Sequence, residues 1–380
     1  MKSSARNGIF LSGYFGCGNL GDDLLLSAAV AGLRPLTHDA QFLIRDSGAT
    51  AQLKNLGRDV IFTGIESILI DRRHSKLNRA VRYLARMASL LRRCRWLIFA
   101  GGTVFHEQGH ARSLIIQWVI CRLARLFRVR IAALGVGISD LHSGRGRWLL
   151  RDIVRISALF LVRDEAAQRQ IAGTRARVTG DLVFDWHELL PLRDPRKMGS
   201  VAGPRTIALA VCPAGFQGAS EQRAVAAFCK AARIWQMHGH RLVFLVFQKS
   251  GALPGDMTMF ERIAAGLGQD KPIETRVLTA SPRPLAAAYR DIDVLCGMRF
   301  HGFVLAALFG IPFVGVAHDN KISEICRRFD MTCLDASTFD GTVLAEVAEA
   351  SLTRRPDPIL VERSTAEAHE NFRAFADIVT

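Results

Sequence analysis

Short apolar runs recur along the chain, each closed by a glycine or a charged turn, and most lead into apolar residues at helical spacing. Ile9-Phe-Leu centres a strand predicted over 8–13, and a helix is expected over Leu24–Leu33. Ala40–Arg45, Val60–Thr63, Trp96–Ala100, Val129–Leu134 and Ala158–Val162 read as further strands. Leu114–Phe127, Arg147–Arg155 and the stretch from Ala166 read as helices. Apolar strands alternating with helices predict a parallel, doubly wound sheet. Residues 189–205 are rich in Pro, Gly and charge, have no period, and read as a linker. The pattern then restarts, with strands at Thr206–Val211, Leu242–Phe247 and near Val277, and helices at Glu221–His238, Thr258–Leu267 and Pro284–Arg290.

Residues 293–316 form the clearest unit. Val294–Cys296 is a strand, Gly297 a turn, and Phe303, Val304, Ala307 and Leu308 repeat at helical spacing. Gly310 stands where a helix C-cap glycine would, Pro312 follows, and Phe313–Val316 is a second strand. Asp340–Ser351 and Val361–Ala376 are closing helices, the last long enough to return to the first domain. The reading is α/β: a Rossmann-like domain over 1–190, a linker over 191–205, a second Rossmann-like domain over 206–355, and a final helix over 356–380.

Composition changes the picture in three ways. A chain of 380 residues with 49% hydrophobic and 22% charged residues has room for two cores. No apolar run reaches the ~18 residues of a membrane span, and the first apolar patch after Lys2 and Arg6 breaks at once into glycine, as a strand rather than a signal peptide does. The eight cysteines include no Cys-x-x-Cys pair and read as reduced core residues of a cytoplasmic protein.

The net charge of +15 is uneven. Between Asp71 and Asp140 the one acid is Glu107, against fourteen Lys and Arg. Arg79, Arg82, Arg86 and Arg93 share one helical face, and Leu77, Val81, Leu84, Ala88 and Leu91 the other. Such a helix suits an anionic lipid surface or an anionic lipid-linked substrate, and places the protein peripherally at the inner membrane face. A solvated helix face is the plain alternative. No nucleic-acid signature accompanies the charge.

Open α/β sheets bind ligands beyond the carboxyl ends of their strands. Arg299 and His301 fall there, where the 300s helix begins. A guanidinium, an imidazole and free helix N–H groups make an anion site beside a proton donor. An exposed loop arginine and a capping histidine are the other reading. Gly16, Gly18 and Gly21 spell Gly-x-Gly-x-x-Gly after a strand, but Asp39 and Asp46 are poorly set as the acid a dinucleotide site wants. Asn19 and Asp22 have the spacing of a capping box. Gly101-Gly102 forms a second glycine turn, followed by His106 and Glu107. His106 and His110 are four apart without a helical period to align them, so no metal site is expected.

Gly13-Tyr-Phe-Gly-Cys-Gly-Asn-Leu-Gly-Asp-Asp, Gly101-Gly102, Val162-Arg-Asp, Gly180-Asp-Leu-Val-Phe and Gly297-Met-Arg-Phe-His with a later Lys321 together resemble the polysaccharide pyruvyl transferases. The motifs follow that family's order over about residues 8–330. Phe300 stands where the family often has leucine, and His318-Asp-Asn precedes Lys321 where a tyrosine is usual. The resemblance implies a GT-B-like arrangement with an interdomain cleft. It also implies transfer of a pyruvyl group from phosphoenolpyruvate to two hydroxyls of a sugar, as a ketal, on a cell-surface polysaccharide or its lipid-linked precursor.

That chemistry wants cations for a carboxylate and a phosphate, which Arg299 and Lys321 supply. It wants an acid for the methylene carbon, a role open to His301, and a base for the hydroxyls, a role open to Asp22. Gly16, Asn19, Gly102 and His106 are the further expected substrate contacts, with His106 and Glu107 as alternates for acid and base. Arg163 with Asp164 reads as an ion pair, and Asp181 as a turn or lining residue. No cofactor is expected beyond phosphoenolpyruvate as donor. Two other functions share these features. One is a nucleotide-sugar glycosyltransferase of the same fold, with Glu324 nearest to a ribose-binding acid. The other is a non-catalytic partner that binds sugar or lipid.

Overall fold

The computed structural model describes residues 6–46, 53–71, 73–107, 112–139, 141–186, 188–189, 203–213, 218–249, 255–267 and 273–379. His110 and most of the expected linker, 190–202, lie outside the described residues. The chain forms two compact units. The first comprises Met1–Cys17, Asp22–His187 and Ser364–Thr380, and the second Gly18–Gly21 and Glu188–Arg363.

The first unit runs β1 (Gly8–Phe15), α1 (Leu20–Leu33), β2 (Gln41–Asp46), β3 (Val60–Phe62), α2 (Ser67–Ile70), α3 (Lys76–Leu91) and β4 (Cys94–Ala100). It continues through β5 (Thr103–Phe105), α4 (Arg112–Leu126), β6 (Arg130–Ile138), α5 (Gly144–Ile156), β7 (Leu159–Val162), α6 (Glu165–Gln170) and β8 (Arg177–Val178). The strands pair in parallel in the order β3-β2-β1-β4-β6-β7-β8, with β5 beside β6. Trp96–Ala100 of β4 is buried throughout, as an unbroken apolar run in a sheet covered on both faces requires. Helix α1 begins four residues before the expected Leu24, because Asn19 Oδ1 takes the Gly21 N–H at 3.3 Å and caps an earlier turn.

Helix α3 buries a stripe that coincides with neither of the two faces read from the sequence. Tyr83, Met87, Leu90 and Leu91 enter the core, while Leu77, Val81 and Leu84 face solvent. The longer side chains Tyr83 and Met87 define the inward stripe, which lies between the leucine face and the arginine face.

The second unit runs β9 (Thr206–Ala210), α7 (Ala219–Met237), β10 (Arg241–Val246), α8 (Asp256–Leu267), β11 (Glu274–Val277), α9 (Pro282–Tyr289) and β12 (Val294–Gly297). It continues through α10 (Phe300–Leu308), β13 (Phe313–Ala317), α11 (Asn320–Arg328), β14 (Cys333–Asp335) and α12 (Gly341–Ser351). Its strand order is β11-β10-β9-β12-β13-β14, all parallel. Phe228, Trp235 and Phe244 fill the core on one face.

Helix α13 (Pro358–Val379) gives its last sixteen or so residues to the first unit. There Phe375 meets Trp96 edge-on at 4.9 Å, and Phe372 packs over the bare Cα of Gly32. Buried Asn371 accepts from Thr179 Oγ1 at 2.8 Å and donates to Gly180 O at 3.1 Å. All eight cysteines are free; six are buried, and Cys17 and Cys333 are exposed.

Candidate functional site

In each unit the strand order reverses once, and the loops on either side of the reversal diverge and leave a crevice at the carboxyl ends of the strands. In the first unit the reversal lies between β1 and β4. Gly16 after β1, and Gly101 and Gly102 after β4, hold φ of 70°, 60° and 69°, a region that glycine enters without cost. A Cβ on Gly101 would strike Leu25 Cδ2 at 2.4 Å, and one on Gly102 would stand 3.1 Å from Asp22 Oδ1. The first turn of α1 therefore lies directly over the second glycine turn, and Asp22 and Gly102 come together there.

Asp23, beside Asp22, is buried and takes the Gly16 N–H on Oδ1 at 3.0 Å. Burial pushes its carboxyl up to about 7; the Gly16 hydrogen bond opposes this, and the Asp22 charge adds to it. His106 Nε2 lies 2.5 Å from Tyr14 OH, and Ser113 Oγ lies 3.1 Å from the same hydroxyl. Burial lowers the His106 pKa and raises that of Tyr14, so both groups stay neutral near pH 7. The Nδ1 of His106 is buried without a partner among the described residues. Glu107 is committed elsewhere: it accepts the His142 and Ser143 N–H groups at 2.8 and 2.9 Å, anchoring the start of α5. Arg163 is buried between Asp164 and Asp181, at 3.2 and 3.5 Å, and those two acids also accept the Ala167 and Val183 N–H groups.

In the second unit the reversal lies between β9 and β12. A Cβ on Gly297 would fall 2.3 Å from Ala210 O, so glycine sets the close approach of these strands. Arg299 follows as the N-cap residue of α10, in extended backbone. Its Nη2 donates to Gln248 Oε1 at 3.1 Å and to Asp256 Oδ1. Asp256 is fully buried, and its Oδ2 takes the Phe247 and Gln248 N–H groups at 2.9 and 3.0 Å. His301 stands in the first turn of α10, and a Cβ on Gly21 would come 2.3 Å from its Nδ1. The segment carrying Gly21 is tied down by Leu20 N–H to Phe247 O at 2.8 Å and by an antiparallel bridge of Asn19 to Gln248. Asn19 and Arg299 thus both meet Gln248, and His301 meets Gly21, two residues beyond Asn19.

Lys321 lies in the first turn of α11, with Nζ 2.9 Å from Asp319 Oδ2. The nearby His318 has its pKa lowered by burial, with the Lys321 and Arg299 charges acting in the same direction against the Asp319 charge. Arg299, His318 and Lys321 therefore share one electrostatic neighbourhood. A hollow of about 520 Å³ at His318 is lined also by Asp319, Asn320, Ser323 and Cys333.

His238, His240 and Glu349 bring three ligand-type atoms within 4.8 Å of one another. The set does not fit a metal. His240 Nδ1 accepts the Arg205 N–H at 3.0 Å, so the ring proton is on Nε2 and faces Glu349 instead of offering a lone pair.

Asp23, Tyr14, Gln248 and Asp256 were not legible as site residues. Gln248 and Asp256 fall between the strand expected over Leu242–Phe247 and the helix expected over Thr258–Leu267, and Asp23 has Asp22 as a neighbour with an equal claim. The one available signal was a polar residue inside an otherwise apolar environment, which shows only after folding.

A family model described as polysaccharide pyruvyl transferase matches residues 19–320. No curated protein matches the chain by sequence. Among solved structures, the UDP-GlcNAc 2-epimerase from Methanocaldococcus jannaschii is similar at 11% identity and TM-score 0.63, over 97% of this chain and 99% of that one. The epimerase from Rickettsia bellii is similar at 9% identity and TM-score 0.59, over 98% and 97% of the two chains. The Neisseria meningitidis epimerase bound to UDP-GlcNAc is similar at 10% identity and TM-score 0.56, over 98% of each chain. At such identities the likeness is one of fold: two parallel-sheet α/β domains of the GT-B class.

Proposed function

Because the chain belongs to the polysaccharide pyruvyl transferase family, we propose that it transfers a pyruvyl group from phosphoenolpyruvate to a sugar diol and forms a cyclic ketal. The acceptor in this reading is a cell-surface polysaccharide or its lipid-linked precursor, met at a membrane surface. The methylene carbon of the donor gains a proton and becomes a methyl group. One sugar hydroxyl adds to C2, the C2–O bond to phosphate breaks, and the second hydroxyl closes the ring. Of the two hydroxyl protons, one balances the new methyl C–H and the other leaves with phosphate.

Arg299 and Lys321 hold the carboxylate and phosphate of the donor, and His301 delivers the proton. Asp22 takes the hydroxyl proton. His106, with Tyr14, together with Gly16, Asn19 and Gly102, contacts substrate. The observation that carries the reading is the setting of Arg299. It caps a helix at the strand-order reversal, and buried Asp256 and Gln248 fix its Nη2. A planar guanidinium held at the strand ends is the group suited to a carboxylate or phosphate, and an imidazole follows two residues on.

The test is thermal stabilisation by phosphoenolpyruvate against UDP- and GDP-sugars, in wild type and Arg299→Lys. Lysine keeps a charge beside Asp256 but loses the fork. A rise in Tm with phosphoenolpyruvate that is lost in Arg299→Lys supports the reading. The likeness to an epimerase that binds UDP-GlcNAc favours one competitor, a nucleotide-sugar transferase, and a rise with UDP-sugars alone would select it.

A further inference from the structure

We infer that helix α3 docks on an anionic lipid surface, through an apolar ridge of Leu77, Val81 and Leu84 and a parallel row of arginines. The three ridge residues are spaced by four and three, so they stack on one face, and they are 76%, 56% and 40% exposed. The core-facing stripe of the helix is already supplied by Tyr83, Met87, Leu90 and Leu91. Burial in the fold therefore does not explain the ridge. On its far side stand Arg82 and Arg86, one turn apart and exposed, and the helix holds no acid. Lys76 extends the charge at the start of the helix, and Arg92 and Arg93 at its end.

Charge decides the occupant. A ridge of long aliphatic side chains beside a row of cations matches the boundary between acyl chains and anionic headgroups. Each cation near such a surface strengthens binding by roughly fivefold. A second copy docked symmetrically on the same ridge would bring its own arginine row alongside the first, a like-charge contact.

Topology gives the docking a direction. Helix α3 precedes β4 in a crossover between parallel strands, so it runs against them, and its Leu77 end lies at the carboxyl end of the sheet. Gly16, Asp22 and Gly102 lie at that same end of this unit. A lipid-anchored acceptor would arrive beside them. This last step rests on the pyruvyl-transfer reading; the docking itself does not.

The experiment is flotation of the full chain with phosphatidylcholine vesicles, with and without about 30% phosphatidylglycerol, at low and high salt. Binding to the anionic vesicles, weakened by salt, is expected. Leu77→Ser/Val81→Ser/Leu84→Ser should lower the bound-to-free ratio about tenfold or more, with an unchanged melting temperature because these side chains are exposed. Arg82→Gln/Arg86→Gln should remove most of the preference for anionic vesicles. Absence of binding, equal binding by the triple serine variant, or a dimer that the serine changes dissolve would each overturn the proposal. With a soluble acceptor the triple variant should turn over as wild type. Loss of pyruvyl transfer by every form, with flotation intact, would sink the transferase reading and leave the docking standing.

Discussion

Asp256 governs what Arg299 can do. A fully buried carboxylate is costly unless both its oxygens accept hydrogen bonds, and here two backbone N–H groups meet Oδ2 and a guanidinium meets Oδ1. Asp256→Asn keeps the shape but turns an NH₂ toward either a donor or the guanidinium. We expect it to cost about 1–3 kcal/mol in urea unfolding and to weaken phosphoenolpyruvate binding by tenfold or more in calorimetry. Asp23 carries a pH signature. Its folded pKa of about 7 exceeds the unfolded carboxylate value, so the native state holds the extra proton between about pH 4 and 7 and loses stability as pH rises through that window. Asp23→Asn keeps an oxygen for the Gly16 N–H and has no proton to lose. It should match wild type near pH 4 and be more stable, by roughly 2–4 kcal/mol, at pH 8; unfolding curves at the two pH values check this. Arg299, His301 and Lys321 were legible because motif position and charge mark them before folding. Asp23 and Asp256 were not, since their effect comes from burial, which no local pattern encodes.

At the scale of elements, the seat of Gly21 against His301 is set by the absence of a side chain. Gly21 lies in a helix with ordinary backbone, so alanine there should favour the helix by up to ~1 kcal/mol. Its methyl would nonetheless stand 2.3 Å from His301 Nδ1 and displace the imidazole. Gly21→Ala is therefore expected to fold with Tm unchanged or higher and to lose a hundredfold or more in phosphate release from phosphoenolpyruvate with acceptor. Asn371→Leu tests the other end of the chain. It leaves Thr179 Oγ1 and Gly180 O without this partner and should lower stability by about 1–3 kcal/mol. The long strands and helices were readable because period and glycine punctuation agree. Strands β5, β8 and β14 were not, being two or three residues long and held by their neighbours. Helix α3 was found, but its inward stripe of Tyr83, Met87, Leu90 and Leu91 was not read: a wheel reports where leucine and arginine lie, not which side meets the sheet.

At the scale of the whole molecule, two sheets of like topology were foreshadowed by the restart of the strand–helix pattern after residue 205. A return of the last helix to the first domain was expected from its length, whereas the place of Gly18–Gly21 in the second unit follows from contacts. Phe372 and Phe375 are part of the first unit's buried apolar set. Deleting 364–380 should therefore expose β4 and α1 and leave the first unit open to protease, while the second unit stays resistant; limited proteolysis with mass spectrometry reads both. The same discontinuity sets an order in time during synthesis. Strands β1 to β8 leave the ribosome first but lack their covering helix until all of Glu188–Arg363 has been made, roughly 10–35 s later at ~5–20 residues/s. In that interval Trp96 lacks the ring of Phe375 that covers it in the finished fold, so an apolar surface of the nascent chain stays open to aggregation.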